Sequence, residues 1–492
     1  MLWMTVLYAA AAMTIGFWKY MRCASMPDYL LGSRTQYSRV AGMSAQTTLL
    51  GFFFTVTVPM ISAEPSGGAL KAIFASAGMV LGIFLSKFLI SRRMRIYSEL
   101  SGNSLSFPDF LENRFNDKSG VLRAVSASVI LVFGILLSAN LFSLSASLID
   151  GITQLGYIQS LIICGLLVAV FVFLGGLPAV VSTGYIKALA LLIFFVFILI
   201  FCFNPTYFDR IAFTDAAPLS SAAGSLSETD ILEDIFSDIL CFAAYSLLFF
   251  GIPFINTAYM STKERRVPKR KIFAELFWTV PSAAGAVMTG IIVSVTGNGH
   301  ISTVSEMVGT IYKTAAAPTG SLIVSLIFII CITTSDTSLF TAGESLVYDL
   351  FTHGKTKYSA GKNGINTVRF GVLGAAAAAI LFALFAPQTE FLSTEFLISA
   401  VSAAFGPTVL FCLFFNCLTT KGAVASVAGG LAAAALFNYL ELIDSIPEIP
   451  VLIPGFVAGT VFLFAVSLLD RKNISEKTGN EFGRTKEIAR LK

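Results

Sequence analysis

Thr333, Thr334, Ser335, Asp336 and Thr337 follow directly on the apolar stretch SLIVSLIFII, in a segment long enough to cross a membrane. Hydroxyls and a carboxylate at membrane depth are costly unless a ligand or a partner satisfies them. Oxygens clustered inside a helix bundle are what a desolvated small cation needs. Thr333 and Thr337 lie four apart, and Asp336 three after Thr333, so these three share a helix face, with Thr334 flanking it. Hydroxyls can also bond back to their own helix backbone. Asp336 has no such outlet and requires a partner, a cation or a proton. Lys187 is the matching oddity, set between Gly184-Tyr185-Ile186 and a long apolar run. Either it snorkels to the membrane edge from about two turns into its helix, or it is buried and paired, with Asp336 as the candidate partner.

Two of the helices that position these groups read as broken. Ser44 to Thr48 interrupts the apolar pattern before Leu49 to Phe54, and Gly251-Ile252-Pro253 follows Tyr245 to Phe250. Pro253 removes a backbone donor and Gly251 loosens the turn, which frees carbonyls to face a ligand. An ordinary proline kink beside a tolerated Ser/Thr patch is the plainer alternative. Interrupted helices at corresponding places in two halves point instead to a transporter built from inverted repeats. Here they open two five-helix blocks.

The composition requires a membrane. Hydrophobic residues make up 55% of the 492 and charged residues only 13%, against roughly a quarter charged in soluble chains. The fold class is therefore an all-α polytopic membrane protein with helices of about 20 residues. Apolar spans fall at roughly 2–18, 40–60, 69–91, 121–148, 157–174, 179–203, 236–258, 272–297, 319–345, 367–387, 392–415, 421–440 and 450–469, about 13 transmembrane helices. The first has no basic residues before it, so it is a retained helix and not a signal peptide.

Alternate loops sort by charge. One side holds Lys19 to Arg39, Arg92 to Arg123, Lys263 to Lys271, Lys355 to Lys362, Lys421 and the tail from Arg471. The other is sparse in basic residues and has an acidic loop from Asp209 to Asp234. The positive-inside rule then puts the N-terminus outside and the C-terminus in the cytoplasm, in a plasma (inner) membrane. The domain reading is 1–39 as an extra helix and loop, 40–204 as the first repeat and 205–235 as an extracellular loop. Residues 236–416 form the second repeat, 417–470 two extra helices and 471–492 a cytoplasmic tail.

Several function classes drop out. The net charge of +4 is too small to suggest nucleic acid. The seven cysteines are scattered without metal-ligand spacing, and the two histidines fall in loops. No paired catalytic group accompanies Asp336 at depth, so an enzyme is not expected, nor any organic cofactor. The partners implied are the lipid bilayer and a small-molecule substrate; the oligomeric state is open.

The motifs resemble those of the sodium:solute symporter family. Asp28 to Arg34 (DYLLGSR) resembles the family's DYFLGGR segment, and Phe107 to Lys118 (FPDFLENRFNDK) its LPDYFxxRFxDK loop. Gly175-Gly176 with Ala179-Val180 matches the turn before its sixth helix. Phe250 to Pro253 resembles FGQP, and Thr333 to Thr337 resembles STADS ahead of a terminal Asp-(Leu/Ile)-Tyr. These run in family order to about residue 420 and are most similar to the bacterial sodium/proline symporter branch. The resemblance implies a leucine-transporter-like core, a five-plus-five inverted repeat with flanking helices. It further implies a sodium site formed by carbonyls of Thr47, Leu50 and Ile330 with hydroxyls of Thr333 and Thr334. The substrate would lie near Gln46, Phe53, Tyr245, Phe249 and Pro253.

The sequence departs from the family at two places. Leu49 stands where proline symporters have an aspartate, and Gly184 where many members have one on the sixth helix, with Lys187 one turn later. Some proton-coupled transporters of this fold place a lysine on that helix in place of sodium. The expected function is cation-coupled, sodium-driven symport of a small organic solute such as proline or another amino acid, by alternating access. Proton coupling through Lys187, and a non-transporting sensor with a degenerate ion site, are the alternatives.

Overall fold

Every long apolar stretch becomes a helix, because only a helix satisfies its own backbone groups in hydrocarbon. A computed structural model of the chain describes residues 2–64, 68–202, 228–265, 278–296, 304–314, 317–352, 362–385, 392–443, 449–471, 482–483 and 485. The acidic stretch from Asp209 to Asp215, the basic run beyond Arg265, both histidines and Lys355 with Lys357 lie outside the described residues.

The helices are α1 (Leu2–Arg22), α2 (Met26–Leu31), α3 (Ser38–Ser62), α4 (Gly68–Leu100), α5 (Phe107–Phe115), α6 (Val121–Thr153), α7 (Tyr157–Ser182) and α8 (Gly184–Cys202). They continue as α9 (Glu228–Gly251), α10 (Pro253–Met260), α11 (Thr279–Thr296), α12 (Val304–Thr314) and α13 (Ala317–Glu344). The last four are α14 (Lys362–Phe385), α15 (Thr394–Cys412), α16 (Thr420–Leu442) and α17 (Leu452–Leu469). Among the described residues nine helices are long and apolar enough to cross a membrane, and the bent pair α9–α10 makes a tenth. α13 is the central one: its apolar window is 94% buried, and it packs on α3, α6, α7, α8 and α14.

One sequence expectation changes here. α3 is not broken at Ser44 to Thr48; it runs helical to Phe52, turns wider through a π segment at Phe53–Thr57 and continues to Ser62. The reason is local. The Thr47 hydroxyl donates to the Met43 carbonyl (2.8 Å) and that of Thr48 to the Ser44 carbonyl (2.9 Å), so the polar patch supports the helix it was expected to interrupt. The turn expected at Gly175-Gly176 forms within α7: the backbone leaves helical geometry at Gly176 and resumes as helix to Ser182. Gly176 has φ +55°, and a Cβ there would come within 2.6 Å of the Tyr29 carbonyl oxygen, so only glycine fits.

The α9–α10 break forms as expected, with a 49° bend and Ile252 extended. Its freed carbonyls are met by side-chain donors. The Ser402 hydroxyl donates to the carbonyl of Leu248 (2.6 Å), Ser86 to that of Phe249 (3.1 Å), and the Asn256 amide to those of Phe250 and Ile252 (3.1 Å each). Side chains from three helices stand in for the donors that the proline and the bend remove.

The charged motifs meet at the basic end of the bundle. Arg123 donates to Asp349 (2.9 Å) and Glu112 (2.8 Å), while Ser106 donates to Asp349 (2.6 Å), tying α5 and α6 to the π segment Ser345–Phe351 that continues α13. Arg34 spans the Ser98 hydroxyl and the Met260 carbonyl (2.9 Å each) and the Ser104 carbonyl (2.9 Å). Burial alone would push the Asp28 carboxyl up, but hydrogen bonds from Ser33, Ser25 and the Ala24 N–H outweigh it and hold it below the usual carboxylate range.

Candidate functional site

The polar block of α13 lies against α3 and α8, wholly inside the protein. Thr333, Thr334, Asp336 and Thr337 are each at most 3% exposed. The Thr334 hydroxyl is shared between the Ile330 carbonyl of its own helix (2.8 Å) and the Thr48 carbonyl of α3 (3.1 Å). The Thr333 hydroxyl donates to the same Ile330 carbonyl (3.1 Å). Three members of the expected cation set, Ile330, Thr333 and Thr334, thus share one cluster of neutral oxygens. Thr47 and Leu50 are buried on the facing helix, and the carbonyl of Thr48 beside Thr47 accepts from Thr334. Thr47 turns its hydroxyl back along α3.

Lys187 does not snorkel. Its ammonium is 3.1 Å from Asp336 Oδ1 and 3.3 Å from Thr48 Oγ1, with side-chain exposures of 1% for Lys187 and 2% for Asp336. An ammonium and a carboxylate in so dry a place attract each other strongly, at a desolvation cost that only close geometry offsets. Thr48 is the residue that sequence reasoning missed. Its carbonyl accepts from Thr334 and its hydroxyl from Lys187, so it joins the oxygen cluster to the ion pair. Its place in the Ser44 to Thr48 patch was the available signal.

Gly184 makes this arrangement possible. A Cβ at Gly184 would lie 2.6 Å from the Cα of Ser44. No aspartate fits there while α8 sits this close to α3, and that closeness brings Lys187 within reach of Thr48.

The expected substrate residues divide between α3 and the α9–α10 pair. Gln46 and Phe53 are seven apart, one face of α3, and the Phe53 ring meets the edge of Tyr245 at 5.6 Å. Phe249 and Pro253 follow on α9 and at the start of α10, both buried. Gln46 is 2% exposed, and neither its amide nitrogen nor its amide oxygen has a hydrogen-bond partner. A primary amide buried this way leaves one donor face and one acceptor face open, at about 1–3 kcal/mol for each group. Asn256 Oδ1 is likewise buried and open, at the α9–α10 break.

Comparisons with known proteins fit this geometry. Residues 29–430 match the sodium:solute symporter family model. The chain is 28% identical over 478 residues to the high-affinity proline transporter of Bacillus subtilis (strain 168), covering 92% of this chain and 95% of that one. It is 26% identical over 483 residues to a sodium/proline symporter of Staphylococcus aureus (strain Newman), covering 95% and 92%. Among solved structures it is similar to a Na+-coupled sialic acid symporter, with TM-score 0.74, 16% identity and coverage of 95% and 97%. A nucleobase-cation-symport-1 transporter matches at TM-score 0.51 and 14% identity, covering 92% and 97%. The fold is the leucine-transporter-like helical bundle.

Proposed function

The chain belongs to the sodium:solute symporter family, and on that premise we propose that it carries a small zwitterionic amino acid, proline first among them, into the cell together with sodium. It is an integral membrane transporter and not an enzyme. Its N-terminus lies outside and its C-terminus in the cytoplasm of the plasma membrane.

The observation that carries the reading is the double role of α3. Its Thr48 carbonyl meets Thr334 of the Ile330–Thr333–Thr334 oxygen cluster, and the same helix carries the open amide of Gln46 and, two turns on, Phe53 against Tyr245. Neutral carbonyl and hydroxyl oxygens suit a hard monovalent cation. Sodium held by Thr47, Leu50, Ile330, Thr333 and Thr334 would fasten α3 to α13 and so fix Gln46. A carboxylate on its amide N–H and an ammonium on its amide oxygen would then complete it. Each ligand stabilises the geometry the other needs, which makes the coupling reciprocal. Release of that contact lets the bundle rock to the opposite access.

Uptake of labelled proline into proteoliposomes, driven by an inward sodium gradient, is the test, with other amino acids as competitors. Thr333→Ala combined with Thr334→Ala abolishes the sodium dependence. Full sodium-driven uptake in that double variant overturns the site.

One observation favours a second reading. The Lys187 ammonium is a tethered cation on the hydroxyl of Thr48, whose carbonyl meets Thr334, and a lysine that gains and loses a proton there would couple uptake to protons. That reading requires sodium-independent uptake that collapses with a protonophore and vanishes in Lys187→Ala. Normal transport by Lys187→Ala removes it.

A further inference from the structure

A cavity of about 470 Å³ opens between α9, α15, α16 and α17, at the end of the bundle opposite the arginine-rich motifs. It lies within the size range of small-molecule sites. Its walls divide by chemistry. Leu248, Phe396 and Leu452 supply apolar surface, and Glu395 and Glu441 supply two carboxylates. None of the described lining residues is basic. Two of its four walls, α16 and α17, belong to neither five-helix block.

Tyr245 separates this cavity from the central site. Its ring edge faces Phe53, and its hydroxyl donates to Glu395 at the cavity wall. A ligand that engages Glu395 competes with that hydroxyl, so occupancy of the cavity reaches the aromatic wall of the central site.

We propose that this cavity is a second ligand site, separate from the substrate site, for a protonated primary amine attached to an apolar body. The carboxylates take the ammonium and the apolar walls take the body. A free organic amine and an aminophospholipid headgroup share this chemistry.

The test follows the melting midpoint of the full-length protein in phosphatidylcholine nanodiscs as 2-phenylethylamine is added. Its neutral analogue 2-phenylethanol and the anion 3-phenylpropionate serve as controls. The expected result is a saturable rise with the amine alone, about tenfold weaker in Glu441→Gln and absent in Glu395→Gln/Glu441→Gln. Glu441→Gln retains sodium-driven uptake, and the amine inhibits uptake in a way that excess proline does not relieve. If nanodiscs containing phosphatidylethanolamine stabilise the parent but not the double variant, and mask the amine response, the natural source is lipid. An unmasked response identifies a free amine. Equal stabilisation by 2-phenylethanol, an undiminished response in the double variant, or relief by proline overturns the proposal. The melting arm needs no transport, so it stands or falls apart from the proposed symport activity.

Discussion

Removing one member of the Lys187–Asp336 pair is the sharpest perturbation available. At 3.1 Å and an effective dielectric constant of about 20, the attraction is about 5 kcal/mol. Asp336→Asn leaves the ammonium 1% exposed with only the Thr48 hydroxyl beside it, and stranding a buried charge costs about 3–5 kcal/mol. Lys187→Met should cost a similar amount by stranding the carboxylate. The double variant Lys187→Met/Asp336→Asn removes both charges and should return close to the parent stability, because desolvation cancels most of what the pair contributes. Equilibrium unfolding in mixed micelles across this four-member cycle gives the coupling energy directly. Uptake by the double variant then separates the two coupling readings: sodium-driven transport survives if Lys187 only neutralises Asp336, and fails if Lys187 carries the proton. Additive losses in the double variant, or single variants within about 0.5 kcal/mol of the parent, would refute the reasoning.

Other consequences follow from the same geometry. Thr334→Ala deletes a hydroxyl ligand and the α3–α13 contact, so half-saturating sodium should rise roughly tenfold in uptake titrations, about 1–2 kcal/mol. Gly184→Asp forces α8 away from Ser44, costing about 1–3 kcal/mol or more, and should lower the folded yield in gel filtration instead of restoring a family ligand. Asn256→Leu strips the donor from the Phe250 carbonyl at the break, and its melting midpoint should fall by the equivalent of about 1–3 kcal/mol. Arg123→Gln leaves Asp349, buried at 0% exposure, without its cation. It should lose stability by about 3–5 kcal/mol, with a compensating gain when Asp349→Asn is added.

The contrast between the two expected breaks shows what local chemistry encodes. Pro253 lacks a backbone N–H, and no tertiary contact can supply one, so the bend was legible from three residues. Ser44 to Thr48 carry hydroxyls that either leave the helix or bond back to it, and sequence alone does not choose between them. Back-bonding to Met43 and Ser44 chose continuity. The cation set was partly legible for a related reason. Thr333, Thr334 and Ile330 are neighbours on one helix, whereas the part of α3 that meets them depends on helix rotation, which brings the Thr48 carbonyl onto Thr334.

By itself the sequence determined the all-helical membrane class, the break at Pro253 and the presence of costly polar groups at depth. These follow from the hydropathy and backbone chemistry of adjacent residues. Only the tertiary structure decided what satisfies those groups. Lys187 and Asp336 are 149 positions apart, and they pair because Gly184 lets α8 close on Ser44. The carbonyls at the α9–α10 break are taken by Ser86, Asn256 and Ser402 because those side chains arrive from other turns and helices. A charge or a carbonyl declares its need in the sequence; its partner is set by distances between helices, which packing alone fixes.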